Sequence, residues 1–271
     1  MNTEPSPHRP SPRHRRPAVL AAVALVTVSA GAALAGCNGG SGDGTSPSAQ
    51  QQKPGKKVLW VGDSIAGTEA PPLEAALKAS GQSFKDASSD GGGTVVEGNK
   101  MATGMAQTTW KDLKKNLASF RPDVIAYQTT SYDWGTPAQQ RASYEKLAKT
   151  AQEAGAELDI VSAPPFKIDD FYKKYEGAIT SAPKAAGEVA AKSDGKVHFF
   201  DATPLWGTER AGKQAQRSQD GIHSCQQGSA AFANWFTEQL GKQDGFTPAA
   251  PDKWAKGSWT GSKRYAQFKC S

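Results

Sequence analysis

Short apolar runs alternate along the chain with longer segments in which apolar residues recur every three or four positions. The short runs predict strands at 58–61, 123–127, 158–161 and 197–200, and residues 83–87 predict a further, weaker strand. The longer segments predict helices at 70–80, 103–120, 137–154, 168–193 and 228–241. Pro183 is expected to break the fourth of these helices. Strands and helices in alternation predict a three-layer α/β/α fold, with one parallel sheet of about five strands.

The end of the first predicted strand carries a candidate reactive group. Chemistry in parallel α/β sheets collects at the carboxyl ends of the strands, and here Gly62-Asp63-Ser64 follows the first of them. Glycine permits a tight turn, and free backbone N–H groups at the start of the next helix can hold a developing negative charge. Ser64 is therefore either a nucleophile or a helix N-cap.

A nucleophilic serine needs a base, and the chain has four histidines. His8 and His14 lie in a basic N-terminal segment, whereas His198 sits within an apolar strand, where a packed or sheet-facing side chain is typical. His223 closes the sequence Asp220-Gly221-Ile222-His223 in a loop before the last helix. Asp220 can orient its imidazole and stabilise the charged form. The alternative is an ordinary Asp-Gly turn with an exposed histidine.

The pairing of Gly62-Asp63-Ser64 with a late Asp220-x-x-His223 resembles the SGNH (GDSL-type) hydrolase family, over roughly residues 56–241. The resemblance implies Ser64 as nucleophile, His223 as general base and Asp220 as the partner that orients it. It also implies two further oxyanion donors, a loop glycine after the second strand and an asparagine after the third. Position 66 is alanine, so the G-x-S-x-G signature of α/β-hydrolases is absent.

The sequence supports one of the two implied oxyanion donors better than the other. The glycine belongs to the run Gly91-Gly92-Gly93, in which Gly92 is favoured, although this run is also typical of a merely flexible loop. The family's G-x-N-D segment falls on residues 130–133, so Tyr132 stands at the asparagine position. Loss of one donor typically costs about 10²–10³ in rate. Asn99 is a candidate substitute donor from the glycine loop.

The altered segment leaves three functions open. Tyr132, Asp133 and Trp134 are more similar to SGNH domains associated with cell-envelope acyltransferases, and Trp134 is either an aromatic platform for a sugar or a packing residue. The first function is a serine esterase that removes small acyl groups from envelope glycans or other esters. The second is an acyltransferase with the same covalent intermediate. The third is a non-catalytic binding lipoprotein that has lost its oxyanion hole.

The N-terminal region is typical of an export signal. A basic stretch with four arginines precedes an uncharged apolar stretch at 18–36, which ends on Leu34-Ala35-Gly36-Cys37. This ending resembles a bacterial lipobox, which implies a signal peptide at 1–36, lipidation of Cys37 and an extracytoplasmic protein on the outer face of the cell membrane. A signal-anchor helix is the alternative, and Arg15-Arg16 weakly indicates twin-arginine export. Residues 37–55 then form a flexible tether.

Removal of the signal halves the charge excess. The chain has 32 Lys+Arg and 26 Asp+Glu, a net charge of +6. Residues 1–36 contain four Arg and one Glu, so 28 basic and 25 acidic residues remain, a net charge of +3. No basic patch is interleaved with aromatic residues, which argues against a nucleic-acid partner. The expected partners are a small-molecule or glycan ester and, through the lipid, the membrane.

Two cysteines lie beyond the signal. In an oxidising compartment Cys225 and Cys270 are expected to form a disulfide, two free thiols being the alternative. The bond would hold a C-terminal extension, residues 243–271, against the hydrolase-like domain at 56–242, and would contribute about 4 kcal/mol in the chain-entropy model. Two histidines far apart in sequence make no metal ligand set, so neither a metal nor another cofactor is expected.

Overall fold

Five short strands form one parallel sheet in the computed structural model of the chain. They are β1 (Lys57–Val61), β2 (Ser83–Asp86), β3 (Val124–Gln128), β4 (Glu157–Val161) and β5 (Val197–Phe200). Their order across the sheet is β2-β1-β3-β4-β5, and Val58 of β1 pairs with Val124 of β3. The order reverses between β1 and β3, where parallel sheets of this type open a crevice at their carboxyl edge. The predicted α/β/α fold is confirmed.

The structure describes residues 55–210, 212 and 216–270, all within one compact unit, Gln51–Ser271. The predicted signal peptide at 1–36, the lipidation site Cys37 and all but the last residue of the predicted tether lie outside the described residues. Within the described ranges, no helix has both the length and the apolar character needed to cross a lipid bilayer.

Eight α-helices surround the sheet in the described part of the chain. They are α1 (Ser64–Ala79), α2 (Lys100–Phe120), α3 (Pro137–Glu153), α4 (Asp170–Lys173), α5 (Glu176–Ala191), α6 (Thr203–Trp206), α7 (Gln226–Asp244) and α8 (Lys263–Gln267). The alternation of side chains along β1 divides the core between two faces. Val58 and Trp60 pack with residues of α1 and α7, whereas Leu59 and Val61 pack with residues of α3 and α5.

Two proline-containing helices differ from the predictions. The first begins at Ser64 rather than at residue 70 and runs through Pro71 and Pro72. It can start early because the Asp63 carboxylate accepts a hydrogen bond from the Ile65 amide and caps it. The predicted break at Pro183 is wrong, since α5 continues through this residue. The interruption falls instead just before α5, between Lys173 and Glu176.

The C-terminal extension, here residues 245–270, folds back onto α1. Trp254 and Tyr265 are buried, and two short 3₁₀ turns, Pro251–Lys253 and Ser258–Gly261, lead into α8. The structure joins Cys225 to Cys270 by a disulfide, with 5.4 Å between their Cα atoms. The bond connects the start of α7 to the end of the extension.

Candidate active site

Ser64 lies directly after the turn that follows β1, at the first position of α1. The carboxylate of Asp63, not the Ser64 hydroxyl, caps this helix, with 2.9 Å between Oδ1 and the Ile65 amide nitrogen. The N-cap alternative for Ser64 is therefore wrong. The serine hydroxyl is left available for another partner.

That partner is His223. The Ser64 hydroxyl oxygen lies 2.8 Å from Nε2 of His223, and Nδ1 of the same ring lies 2.7 Å from Oδ2 of Asp220. Oδ1 of Asp220 accepts hydrogen bonds from the amides of Ile222 and His223 at 2.7 and 3.0 Å. The fold thus brings together three residues that the sequence places up to 159 positions apart, in the arrangement that activates a nucleophilic serine.

The electrostatics of Asp220 suit an orienting carboxylate. Burial raises its pKa, but hydrogen bonds from His223, Ser218 and two backbone amides outweigh that effect, and the net pKa lies well below the usual range. The group is therefore ionised at neutral pH. An ionised partner at Nδ1 favours the tautomer in which Nε2 accepts the serine proton and stabilises the imidazolium that results.

Backbone contacts hold the loop that carries His223. Arg217 and Ser224 form an antiparallel bridge across its base, and the Ser218 amide donates to the carbonyl of His223 at 2.8 Å. Gly221 adopts a positive φ of 72°, which favours glycine, and its carbonyl accepts from the Lys167 amide at 2.9 Å. These bonds fix the position of the loop and, with it, the position of the His223 imidazole.

The glycine run lies against the turn before Ser64. Gly93 has a φ of 74°, and a Cβ placed on it would come within 2.0 Å of the Gly62 carbonyl oxygen. Only glycine allows so close an approach. Gly92 is buried beside Met105, whereas Gly91 is exposed. The expected role of Gly92 as an oxyanion donor stays a prediction.

The loop after β3 is tied to the same turn by Ser131. Its amide and hydroxyl each donate to Oδ2 of Asp63 at 2.7 Å, and burial raises the pKa of this carboxyl. Tyr132, at the position of the family's asparagine, is half-buried and packs against Trp134 and Tyr172, with ring centroids 5.0 and 6.1 Å away. No pattern in the sequence indicated that Ser131, rather than its neighbour Tyr132, would make the polar contacts.

A buried carboxylate, Asp133, joins the two loops. It is fully buried and accepts hydrogen bonds from the hydroxyls of Thr94, Tyr127, Thr130 and Tyr144 at 2.6–2.7 Å. Thr94 directly follows the glycine run, so this carboxylate sets the distance between that run and the loop after β3. Sequence reasoning named Asp133 only as part of an altered motif and missed this role.

Asn99 and Trp134 have clear structural contacts. The side-chain oxygen of Asn99 accepts from the amides of Met101 and Ala102 at 3.0 Å and caps α2, and its role as a substitute oxyanion donor stays a prediction. Trp134 is 2% exposed and stacks on Tyr175 at 3.6 Å. A buried ring cannot receive a sugar, so its role is packing.

One aromatic contact was not foreseen. The ring of Phe268 stacks on the imidazole of His223, with 3.6 Å between centroids and 14° between planes. The cysteine spacing contained the signal, because Cys225 lies two residues after His223 and Cys270 two residues after Phe268. A disulfide between these cysteines brings the two rings close together.

A cavity of about 760 Å³ opens between the glycine run and α2. Its lining combines apolar side chains such as Met105 and Leu113 with polar ones such as Lys100 and Asp112, and it includes none of the three triad residues. His198 contacts Asp159 and Gln243 at 3.1 and 2.6 Å rather than the triad. Among the described residues, no group of three or more His, Cys, Asp or Glu side chains is arranged to hold a metal ion.

No protein-family model matches the chain, and no curated protein matches it. Solved structures do. A GDSL-like lipase from Bacteroides thetaiotaomicron is similar with a TM-score of 0.54 and 12% identity, over 69% of this chain and 89% of that one. A candidate acylhydrolase from Bacteroides fragilis is similar with a TM-score of 0.50 and 13% identity, over 72% and 92%.

A third solved structure is an α/β-hydrolase enzyme from the metagenome of Lake Arreo in Spain. It is similar with a TM-score of 0.50 and 15% identity, over 69% of this chain and 95% of that one. At such identities the similarity concerns the fold, and it confirms the SGNH (GDSL-type) hydrolase fold that the two sequence motifs predicted.

Proposed function

We propose that the protein is a serine esterase of the SGNH type, which hydrolyses small acyl esters. The observation that carries the proposal is the unbroken series of hydrogen bonds from Asp220 through His223 to Ser64. It lies where α/β folds with parallel sheets bind their ligands, beside the point at which the strand order reverses.

The reaction follows from the geometry. His223 Nε2 takes the hydroxyl proton while Ser64 Oγ attacks the ester carbonyl, and the proton then passes to the alkoxy group, which leaves as an alcohol. Water repeats the sequence on the acyl-serine: His223 takes its proton, the acid leaves, and the proton returns to Ser64. The negative charge of both tetrahedral intermediates is held by the amides of Ser64 and Gly92.

A second candidate, a non-catalytic binding protein, is favoured by one observation. Tyr132 occupies the position of the third oxyanion donor, and its ring packs against Trp134 and Tyr172. With two donors in place of three, the same triad would turn over about 10²–10³ times more slowly. The triad geometry outweighs this departure, because a binding protein has no need of a serine hydrogen-bonded to an oriented imidazole.

The esterase is proposed to act outside the cytoplasm, anchored by a lipid on Cys37, with O-acyl groups of envelope glycans as its substrates. The disulfide between Cys225 and Cys270 supports this location, since such bonds persist in oxidising compartments. The sequence before Cys37 supports the anchor. Metabolic labelling with palmitate tests it: the wild type should incorporate label and C37A should not, and equal incorporation would refute lipidation at Cys37.

A fluorophosphonate probe tests the proposed chemistry without a guess at the acyl group. The purified full-length protein in detergent should be labelled at Ser64, and the variants S64A and H223A should not. Hydrolysis of an aryl acetate should exceed that of S64A by at least about 10³-fold. Equal, background-level turnover and no labelling would favour the binding protein, and product analysis with a sugar acceptor distinguishes hydrolysis from acyl transfer.

A further inference from the structure

The imidazole of His223 has a partner on its face as well as partners at its two nitrogens. Phe268 stacks on it with 3.6 Å between ring centroids, close enough for van der Waals contact over the whole ring. His223 is 8% exposed, and Phe268 is one of the side chains that cover it. The C-terminal extension therefore reaches into the proposed active site, 45 residues beyond the histidine.

Covalent and polar contacts hold Phe268 in this place. Cys270, two residues after it, is bonded to Cys225, two residues after His223. The Cys270 amide also donates to the Tyr265 carbonyl at 2.9 Å, which closes the end of α8. One disulfide thus joins the two short segments that carry the stacked rings.

The extension is anchored again before it reaches the histidine. The hydroxyl of Tyr265, a residue 1% exposed, donates to the Thr68 carbonyl of α1 at 2.9 Å. The guanidinium of Arg264 forms ion pairs with Asp90 at 2.6 Å and with Asp86 at 3.1 Å. Asp90 directly precedes the glycine run, so the extension spans from α1 across that loop to His223.

We propose that Phe268 is a positioning residue for His223 and that the Cys225–Cys270 disulfide keeps it in place. The proposal rests on the proposed esterase function. The hydrogen bonds to Asp220 and Ser64 lie in the plane of the imidazole and restrict its movement within that plane. A ring stacked on one face restricts movement out of the plane, which those two bonds oppose only weakly.

The stack also acts on the imidazolium that forms during the reaction. When His223 takes the Ser64 proton it becomes a cation, and a cation over the face of an aromatic ring is attracted by the ring's quadrupole. This attraction is stronger in the transition state than in the resting enzyme, so it raises kcat rather than lowering KM.

Substitutions at Phe268 distinguish the effect of aromatic stacking from the effect of side-chain size. F268L should lower kcat roughly 5- to 50-fold and leave KM within about twofold, whereas F268W should keep kcat within about threefold of the wild type. W259L is the matched control, because Trp259 lies on the same extension and packs on Tyr265 rather than on the triad. Equal kcat for F268L and the wild type would overturn the proposal.

The disulfide is tested by a double-mutant cycle. C225S/C270S should lower kcat to about the level of F268L, and in the F268L background the same two substitutions should leave kcat unchanged, because both act through one contact. Rates are measured well below the unfolding midpoint of each variant. A further fall of kcat in the F268L background, equal to the fall in the wild type, would show that the disulfide acts independently of Phe268 and would overturn its assigned role.

Two readouts keep the failure of this inference apart from failure of the esterase function. If the fluorophosphonate labels Ser64 in the wild type and labels F268L at the same rate, only the positioning role fails. If the wild type is not labelled, the esterase function fails, and the positioning role with it. The stack itself is visible by NMR, since the ring current of Phe268 should shift the His223 ring protons, and F268L should remove that shift while leaving the His198 signals in place.

Discussion

The Tyr265 hydroxyl donates a hydrogen bond to the Thr68 carbonyl, at 2.9 Å, and this carbonyl is one that α1 itself cannot satisfy. Its partner within the helix would be the amide of residue 72, which is a proline and has no N–H. The C-terminal extension thus completes the helix that begins with Ser64. Two prolines in the middle of α1 are tolerated partly because a distant side chain compensates for one of them.

Removal of the Tyr265 hydroxyl should therefore destabilise the protein. Y265F leaves the buried Thr68 carbonyl without a partner, and we expect a loss of about 1–2 kcal/mol in the free energy of unfolding, measured in urea. In a P72A background the new amide supplies the missing donor, so the cost of Y265F should fall to less than half. An equal cost in both backgrounds would show that the Thr68 carbonyl is not what the hydroxyl stabilises.

The carboxylate of Asp133 gives a second prediction, about stability and the position of the glycine run. It accepts from four hydroxyls, and D133N replaces one acceptor oxygen with an NH₂ group that faces donors. We expect a loss of about 2–4 kcal/mol in the free energy of unfolding, together with lower kcat, because Thr94 no longer fixes the glycine run. T94V removes a single donor and should cost about 1 kcal/mol. A D133N enzyme with wild-type stability would contradict this account.

Tyr132 gives a third prediction, about the oxyanion hole. Because its ring packs between Trp134 and Tyr172, its hydroxyl is not expected to serve the reaction, and Y132F should change kcat by less than about threefold. Y132N restores the side chain that the family uses here and should raise kcat about tenfold. A loss of about 10²-fold in Y132F would instead identify Tyr132 as the third donor. Aryl acetate hydrolysis by both variants decides between these outcomes.

The parts of the molecule that local patterns determine could be predicted. Four of the five strands are short, largely apolar runs, and β2, with the sequence Ser-Phe-Lys-Asp, is the exception. Ser64, Asp220 and His223 belong to motifs whose order along the chain is typical of one fold. The contacts that could not be predicted join segments that are distant in sequence. Nothing near Asp133 reveals that four hydroxyls converge on it, and the compensation of Pro72 depends on a tyrosine almost two hundred residues later.

The predicted break at Pro183 shows the limit of a local rule. A proline inside a helix removes one backbone hydrogen bond, and tertiary packing can outweigh that loss. Ala182, Ala185 and Ala186 are buried, so this part of α5 packs against the rest of the domain and the helix continues through Pro183. The contact between Phe268 and His223 could not be predicted from local rules for another reason. It depends on which cysteines pair.

The last prediction concerns Asp244, the final residue of α7, where the carbonyl ends of the helix disfavour a negative charge. Burial raises its pKa to about 6, and the carboxylates of Asp159 and Glu157 add to the rise although Lys56 opposes it. The carboxyl therefore holds its proton more tightly in the folded than in the unfolded state. The stability that this contributes is complete below about pH 4 and is lost as the pH rises through about 6.

D244N cannot ionise and escapes this loss. Between pH 4 and pH 7.5, the free energy of unfolding of D244N relative to the wild type should therefore shift in favour of the variant by about 1–3 kcal/mol. D252N is a matched control on an exposed carboxylate and should change the free energy by less than about 0.5 kcal/mol at either pH. Urea unfolding of the three proteins at both pH values measures these differences. If the D244N difference moved in the opposite direction, Asp244 would be a stabilising carboxylate paired with Lys56, and the account of its raised pKa would be wrong.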